Sequence, residues 1–176
     1  MKKLIVPFFI TIFIASCPHL LPQAANGVKY ENVMAVYIFN FTKFLEWKND
    51  NPECFYIWVL GKSKITEPLI KIAEKENVNG KKLIIEEIKD VDKVKKCGVL
   101  FISNEDESIL PSILKKTMEK NILTVSNTKG FANKGVCINF VLSDDKMRFE
   151  INRKAVEESG IIPSTRLLSL ALKVYE

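Results

Sequence analysis

Few residues of this chain have the types and the spacing that catalysis or metal binding requires. The only histidine of the 176 residues is His19, which lies close to the N-terminus. The main part of the chain therefore cannot build a Ser-His-Asp triad, a Cys-His pair or a histidine-rich metal site. Its seven glycines are dispersed and form no phosphate-binding loop. We predict no catalytic residues, no metal and no cofactor.

Acidic residues occur in three clusters, which are Glu86-Glu87, Glu105-Asp106-Glu107 and Asp144-Asp145. Paired carboxylates can share acid–base work, but each cluster has a simpler structural interpretation. The first fits the exposed side of a strand, the second favours a helix N-terminus, and the third is typical of a turn. We expect none of them to act in catalysis, so the sequence predicts a protein that is not an enzyme.

The first residues have the pattern of an export signal. Lys2 and Lys3 precede an uncharged apolar run from Leu4 to Ala15. This run is too short to span a bilayer, but it has the length of the apolar part of a secretory signal. We expect residues 1–25 to be a signal peptide that directs export of the protein.

Two sites of signal cleavage are open. Ile14-Ala15-Ser16-Cys17 fits a lipobox, which would leave Cys17 as a lipidated N-terminus and anchor the protein to a membrane. Ala24 and Ala25 instead offer small residues for ordinary cleavage. Residues 26–176 are long enough for a single domain with a hydrophobic core. The net charge of +5 is spread over scattered lysines and does not favour nucleic-acid binding.

The rest of the chain alternates between apolar stretches of strand length and stretches of helical period. Apolar residues recur every three or four positions from Glu31 to Leu45 and predict a helix. Further helices are predicted near 66–73, at 109–118 and after Ser164, and strands at 55–60, 82–88, 98–102, 122–125, 136–142 and 146–151. We expect a three-layer α/β fold with a mostly parallel sheet of about six strands, flanked by helices. The last two strands should form a C-terminal antiparallel hairpin around Ser143-Asp144-Asp145.

These strands place two cysteines at the same end of the sheet. Cys54 precedes the first strand and Cys97 the third, and in a 2-1-3 strand order the beginnings of these strands are neighbours. An exported domain favours disulfides, so a Cys54–Cys97 bridge is one expectation and two free buried thiols are the other. Cys137 lies within a predicted strand, where we interpret it as a small buried hydrophobic residue.

Successive blocks of the sequence resemble the YfiR-like family. The blocks are Asn40 to Trp47, Val59 to Gly61, Val99 to Ser103, Leu123 to Ser126 with Gly130-Phe131, Ile138 to Leu142, Arg148 to Asn152 and Ser164 to Ala171. Their order and spacing carry the resemblance, which extends from about Tyr30 to Val174.

The resemblance implies a non-enzymatic periplasmic regulator. YfiR-type proteins bind the periplasmic part of an inner-membrane diguanylate cyclase and repress it, which lowers cyclic di-GMP signalling and biofilm formation. An outer-membrane, peptidoglycan-associated lipoprotein relieves the repression, and thiol oxidation and dimerisation are also associated with the family. We expect such a cyclase or another membrane receptor as the partner, and the resemblance also allows the lipoprotein as a second partner and a homodimer.

The cysteines follow the family pattern only in part. Cys97 matches a cysteine of the family, whereas Cys54 lies earlier in the chain than its usual partner, whose place Trp58 takes. Cys137 matches another family cysteine, but Gly130 stands where its counterpart is expected. A second bridge that involves Cys137 is therefore not expected.

Two places are predicted to contact the partner. Arg148, Glu150 and Asn152 alternate with apolar residues, so their side chains share one strand face. The alternative for these three is a local ion pair or a hydrogen-bonded edge. Trp47 ends the aromatic stretch that begins at Phe39, and it either caps the core or forms an exposed anchor.

A small-molecule sensor, or a binding protein that acts on another membrane receptor, is the alternative function. Open α/β sheets bind ligands at the carboxyl ends of their strands. The candidate ligand-binding residues there are Gly61, Ser63, Ser103, Asn104, Ser126 and Asn127. A deep pocket lined by all three loops would favour this function.

Overall fold

The computed structural model describes residues 30–47, 53–94, 98–103, 107–118 and 120–176. The expected signal peptide, Cys17, Cys97 and Asn104 lie outside these ranges, so the predictions that rest on them stay predictions. Within the described ranges, no helix combines the length and the apolar character that crossing a membrane requires.

The described residues form five α-helices and ten β-strands. The helices are α1 (Tyr30–Phe44), α2 (Thr66–Ala73), α3 (Leu110–Thr117), α4 (Arg153–Glu158) and α5 (Thr165–Leu170). The strands are β1 (Leu45–Trp47), β2 (Cys54–Leu60), β3 (Asn77–Val78), β4 (Lys81–Ile88), β5 (Val99–Ile102), β6 (Leu123–Ser126), β7 (Ile138–Ser143), β8 (Lys146–Asn152), β9 (Ile161–Pro163) and β10 (Lys173–Tyr175).

A mostly parallel sheet of eight strands forms the centre of the fold. Its strand order is β10-β8-β7-β6-β5-β2-β4-β3. β2 lies between β4 and β5 and is parallel to both, so the first three long strands have the 2-1-3 order that the expected Cys54–Cys97 bridge assumes. The predicted α/β class is confirmed, although the sheet has eight strands rather than about six.

The two faces of the sheet carry separate apolar layers, because side chains alternate between the faces along each strand. On β2, Phe55, Ile57 and Val59 belong to the layer that α1, α2 and α5 cover. Trp58 and Leu60 belong to the layer that α3 covers. The continuous apolar sequence of β2 thus reflects burial on both sides, as predicted.

Helix α1 covers the first face with a buried aromatic surface. The ring of Phe41 lies 5.9 Å from that of Phe140 and 5.1 Å from that of Phe149, both on the β7–β8 hairpin. Tyr37 lies 6.0 Å from Phe140 and 5.9 Å from Phe149. Contacts between aromatic rings at these distances stabilise the packing beyond the burial of area alone. The helix ends at Phe44, one residue before the predicted end.

The hairpin has the predicted antiparallel register. Ser143 pairs with Lys146 across a two-residue loop of Asp144 and Asp145. Both loop residues have left-handed backbone angles, with φ of 49° and 56°. This backbone is typical of the type I′ turns that join twisted antiparallel strands, and aspartate tolerates it better than most residues.

The C-terminal part differs most from the prediction. The apolar spacing predicts one helix that continues to Val174, but α5 ends at Leu170 and Val174 lies in β10. β10 pairs in parallel with β8 and supplies hydrogen-bond partners to an edge that would otherwise be open. The prediction of a longer closing helix is therefore wrong, because this tertiary pairing outweighs the local helical pattern.

Three further elements, α4, β1 and β9, have no counterpart in the prediction. α4 begins directly after β8, where Asn152 caps it. β1 and β9 form a separate two-stranded antiparallel ribbon, in which Leu45 pairs with Pro163 and Trp47 with Ile161. The ribbon fixes the end of α1 to the segment between α4 and α5.

The sheet is only partly covered at its β4 edge. β3 pairs with Lys81 and Lys82 at the beginning of β4. Beyond Lys82, no strand in the described part of the chain pairs with the outer side of β4. The segment Leu83–Ile88 therefore forms an open edge of the sheet.

Candidate functional site

Trp47, one of the predicted partner contacts, packs against the core. Its ring meets that of Phe55 edge to face, with centroids 5.2 Å apart. Its indole Nε1 is buried and has no hydrogen-bond partner in the described structure. The side chain is half-buried and belongs to the margin of the first apolar layer. This contact favours the core-capping interpretation of Trp47 over an exposed anchor.

The predicted polar face of β8 exists, but its three residues differ in their surroundings. Asn152 Oδ1 accepts a hydrogen bond from Ala155 N at 2.8 Å, and its Nδ2 donates to the Ala132 carbonyl at 2.9 Å. Asn152 therefore holds α4 and a neighbouring turn, which is the hydrogen-bonded alternative. Glu150 is half-buried, and the Tyr175 hydroxyl lies 3.5 Å from its Oε1.

Arg148 is the exposed member of this face. Its cross-strand neighbour is Val141 on β7, and it forms no ion pair with any described residue. Unpaired guanidinium groups are common contacts at protein interfaces. Of the three residues, Arg148 is thus the one left for a partner.

The outer face of α1 carries an apolar groove that the sequence did not predict. Asn32, Val33, Val36, Tyr37 and Asn40 line an open depression of about 330 Å³. The side chain of Val36 is 51% exposed, although valine favours burial. The helical spacing of the apolar residues between Glu31 and Leu45 predicts that Val33 and Tyr37 face the core. The signal that it missed is Val36, an apolar residue outside that stripe.

The carboxyl ends of the central strands come together as predicted. A Cβ on Gly61, which has φ of 84°, would lie 3.0 Å from Ser103 Oγ. Ser126 Oγ donates to the Ile102 carbonyl at 3.0 Å and accepts from Thr128 N at 3.2 Å.

The serine side chains at these strand ends are occupied by backbone contacts. Ser103 Oγ donates a hydrogen bond to the Leu60 carbonyl. Ser63 Oγ accepts from Ile65 N at 3.4 Å. Asn127 is exposed. These hydroxyls close the strand ends, which is a structural role.

A shallow cleft of about 260 Å³ lies beside Gly61. Its walls come from the end of β2, the segment after β4 and α3, and they include Leu60, Gly61, Lys89, Val91, Ile113 and Lys116. Of the predicted ligand-binding residues, Gly61 alone contributes to this wall. Lys116 also forms an ion pair with Asp92, with 2.5 Å between Nζ and Oδ1.

Cys137 is buried at the beginning of β7. Its backbone N donates to Thr124 Oγ1 at 3.0 Å, and its Sγ lies 3.5 Å from Ser159 Oγ. Burial raises the pKa of the Cys137 thiol, and the hydrogen bonds from Thr124 and Ser159 oppose this effect without cancelling it. The thiol is free, as the sequence predicts, and a raised pKa makes it a poor nucleophile.

The described residues show no metal site. No group of three histidine, cysteine, aspartate or glutamate side chains in these ranges could hold a metal ion. The surface features of the described residues include an apolar groove, an exposed arginine, a shallow cleft and an open sheet edge.

The fold and these surfaces define a three-layer α/β domain with surfaces suited to binding. Residues 31–172 match the model of the YfiR/HmsC-like family. The chain therefore belongs to the YfiR/HmsC-like family. No curated protein matches the sequence.

Among solved structures, the ABC domain in complex with L-Trp from Streptococcus pneumoniae has a similar fold. The two chains share 12% sequence identity with a TM-score of 0.50. The match covers 77% of this chain and 58% of the other, so the present chain spans little more than half of that neighbour's length. At this identity the similarity shows the fold alone.

Proposed function

We propose that this protein is a periplasmic regulator that binds and represses a membrane-bound diguanylate cyclase. Repression would lower cyclic di-GMP signalling and biofilm formation. The observation that carries the proposal is the family match, which extends over residues 31–172 and so includes every surface described above.

Repression by binding requires that the regulator bind the inactive cyclase more tightly than the active one. A tenfold loss of cyclase activity needs at least about a tenfold difference in affinity, or about 1.4 kcal/mol. A few well-placed contacts supply this amount, because single anchor residues at interfaces contribute as much. A domain without a catalytic centre is therefore sufficient for the proposed function.

The apolar groove of α1 is the surface that we propose for the cyclase. It exposes Val36 beside the half-buried ring of Tyr37. Tyr37 is in turn held by Phe140 and Phe149. A groove with a fixed aromatic wall loses little side-chain entropy on binding. Interfaces favour such preorganised apolar centres.

Co-production with the membrane-bound diguanylate cyclases of the source organism tests the proposal. We expect the native protein to lower cellular cyclic di-GMP and to co-purify with one cyclase. Val36→Asp should abolish both effects, because it places a charge in the groove. Met118→Asp is the matched control, since Met118 is also 51% exposed but lies at the end of α3. Unchanged cyclic di-GMP with every cyclase would refute the proposed function.

A periplasmic small-molecule sensor is the second candidate function, and the cleft beside Gly61 favours it. Lys89 and Lys116 line the cleft together with Asp90 and the apolar Val91 and Ile113, and an anionic ligand would compete with Asp92 for Lys116. This mixture suits a small ligand with an anionic group and an apolar part. A thermal-shift screen of amino acids and carboxylates tests it. Lys116→Ala should remove the rise in melting temperature that a ligand causes. Lys115→Ala is the control, because Lys115 lies on the exposed side of α3, and it should keep this rise.

A further inference from the structure

The open edge of β4 has backbone groups that point away from the sheet. The Ile88 carbonyl accepts a hydrogen bond from Gly61 N at 2.8 Å, so the backbone groups of Ile88 point toward β2. The N–H and C=O of one residue in a strand point to the same side, and this side alternates along the strand. The backbone groups of Ile84 and Glu86 therefore also point toward β2. Those of Leu83, Ile85 and Glu87 point outward, away from the sheet.

Half-exposed apolar side chains lie along both sides of this edge. On one face, Ile85 is half-buried, and Ile70 on the neighbouring α2 is 43% exposed. Thr66, one helical turn before Ile70, donates to Glu87 Oε1 at 2.6 Å and so fixes α2 beside the edge. On the other face, Ile84 is half-buried beside Tyr56.

Natural proteins protect open edges, because an open edge invites pairing with another strand. β4 carries charges only near the carboxyl end of its open stretch. Glu86 and Glu87 are exposed at the carboxyl end, and the isoleucines before them carry no charge. Glu86 has no ion pair with any described residue. The edge thus presents two apolar positions followed by two negative ones.

A second copy of this chain does not fit the edge. Two copies of β4 match best in charge when Lys82 of one lies opposite Glu86 of the other, but β3 already occupies the outer side of Lys82. The nearest antiparallel register that avoids β3 places Glu86 opposite Glu86, where like charges repel. The edge therefore requires a strand with a different sequence.

We propose that the outer edge of β4, from Leu83 to Ile88, binds an extended strand of a partner protein in which basic residues adjoin apolar ones. In the antiparallel orientation the partner presents lysine or arginine opposite Glu87 and Glu86, and apolar residues opposite Ile85 and Ile84. Main-chain hydrogen bonds to the outward residues supply affinity, and the charges select the strand. This surface goes beyond the proposed function, since it does not require the partner to be a cyclase.

A pair of labelled peptides tests the assignment by fluorescence polarisation. One peptide has the sequence acetyl-Ser-Arg-Lys-Val-Val-Thr-Ser-amide, and its twin has two glutamates in place of Arg-Lys. We expect the native protein to bind the basic peptide and to bind the acidic twin at least about tenfold more weakly, because its charges face Glu86 and Glu87. Equal binding of both peptides, or of neither, would overturn the proposal.

Two variants separate the backbone contribution from the charge. Ile85→Pro removes an outward N–H that no strand among the described residues pairs with, and edge strands tolerate proline there. It should lower the affinity for the basic peptide about tenfold or more, whereas the Ile85→Val variant should bind this peptide as tightly as the native protein does. Glu86→Lys should shift the preference toward the acidic twin, which keeps the test decisive if Ile85→Pro unfolds.

Sedimentation of the native protein tests whether a second copy of this chain, rather than a strand of a different protein, binds the β4 edge. We expect no dimer that depends on this edge. A dimer that Ile85→Pro converts to monomer would assign the edge to a second copy and overturn the proposal.

Discussion

Gly98 lies directly against the ring of Phe55, so that a Cβ at position 98 would come within 1.8 Å of a ring carbon. Both residues lie at the beginnings of adjacent strands, where Gly98 N donates to the Tyr56 carbonyl at 3.1 Å. We predict that Gly98→Ala destabilises the protein by about 1–3 kcal/mol, because the backbone on either side cannot move away. Urea unfolding measures this loss.

A double-mutant cycle checks that the ring is the cause. Phe55→Leu removes the ring atoms that a methyl group at position 98 would meet, although the cavity that it leaves is itself destabilising. In the double variant, Gly98→Ala should therefore destabilise much less than in the native protein. Additive losses would show that the methyl group meets something other than Phe55.

Asn152 is predicted to act mainly in stability. Asn152→Ala removes the cap of α4 and the hydrogen bond to the Ala132 carbonyl, and it should destabilise the protein by about 1–3 kcal/mol. Asn152→Ser keeps a capping oxygen and should lose less. Arg148→Ala is the matched change on the same strand face, and it should leave stability within about 0.5 kcal/mol. Thermal unfolding of the three variants distinguishes these outcomes.

Cys137 should make stability depend on pH in alkaline solution. Burial raises the pKa of its thiol in the folded state. The unfolded chain therefore releases the proton first, and the contribution to stability is full below the unfolded pKa and is lost as pH rises through the folded pKa. Between about pH 8 and about pH 10, Cys137→Ala should lose less stability than the native protein. An equal loss of unfolding free energy in the native protein and in Cys137→Ala between the two pH values would contradict this.

Cys54 is a free thiol in the structure and Cys97 lies outside the described residues, so the Cys54–Cys97 bridge stays a prediction. The register of β2 and β5 pairs Ile57 with Val99, and each cysteine precedes its member of this pair by a few residues. A bridge that closes such a loop stabilises by roughly 3–4 kcal/mol on the chain-entropy estimate. Non-reducing peptide mapping should find the two cysteines joined, and Cys54→Ser should then lower the melting temperature as much as reduction does.

The α/β class could be predicted because α2 follows β2 and α3 separates β5 from β6. Parallel strands buried on both faces leave continuous apolar runs, and Ile57 and Leu100 are fully buried as those runs imply. The turn at Asp144 and Asp145 could be predicted for a similar reason, since its chemistry is local.

The remaining differences arise where distant parts of the chain meet. Val174 has helical spacing from Leu167, yet it pairs with Ile151 in the sheet. Leu45 continues the stripe of α1, yet it pairs with Pro163. In the candidate site, Arg148 could be placed on its face by alternation. The exposure of Val36 could not be predicted, because it depends on which other elements cover α1.

The β1–β9 ribbon has a consequence for how the chain reaches this structure. Its two strands come from opposite ends of the described chain, and contacts between such distant segments close slowly because of loop entropy. The local units from β2 to β6 should therefore assemble first. Until the β7–β8 hairpin arrives, Tyr37 and Phe41 of α1 lack the rings of Phe140 and Phe149 against which they pack in the finished fold. A newly made chain thus presents this helix longest to the chaperones that recognise exposed apolar segments.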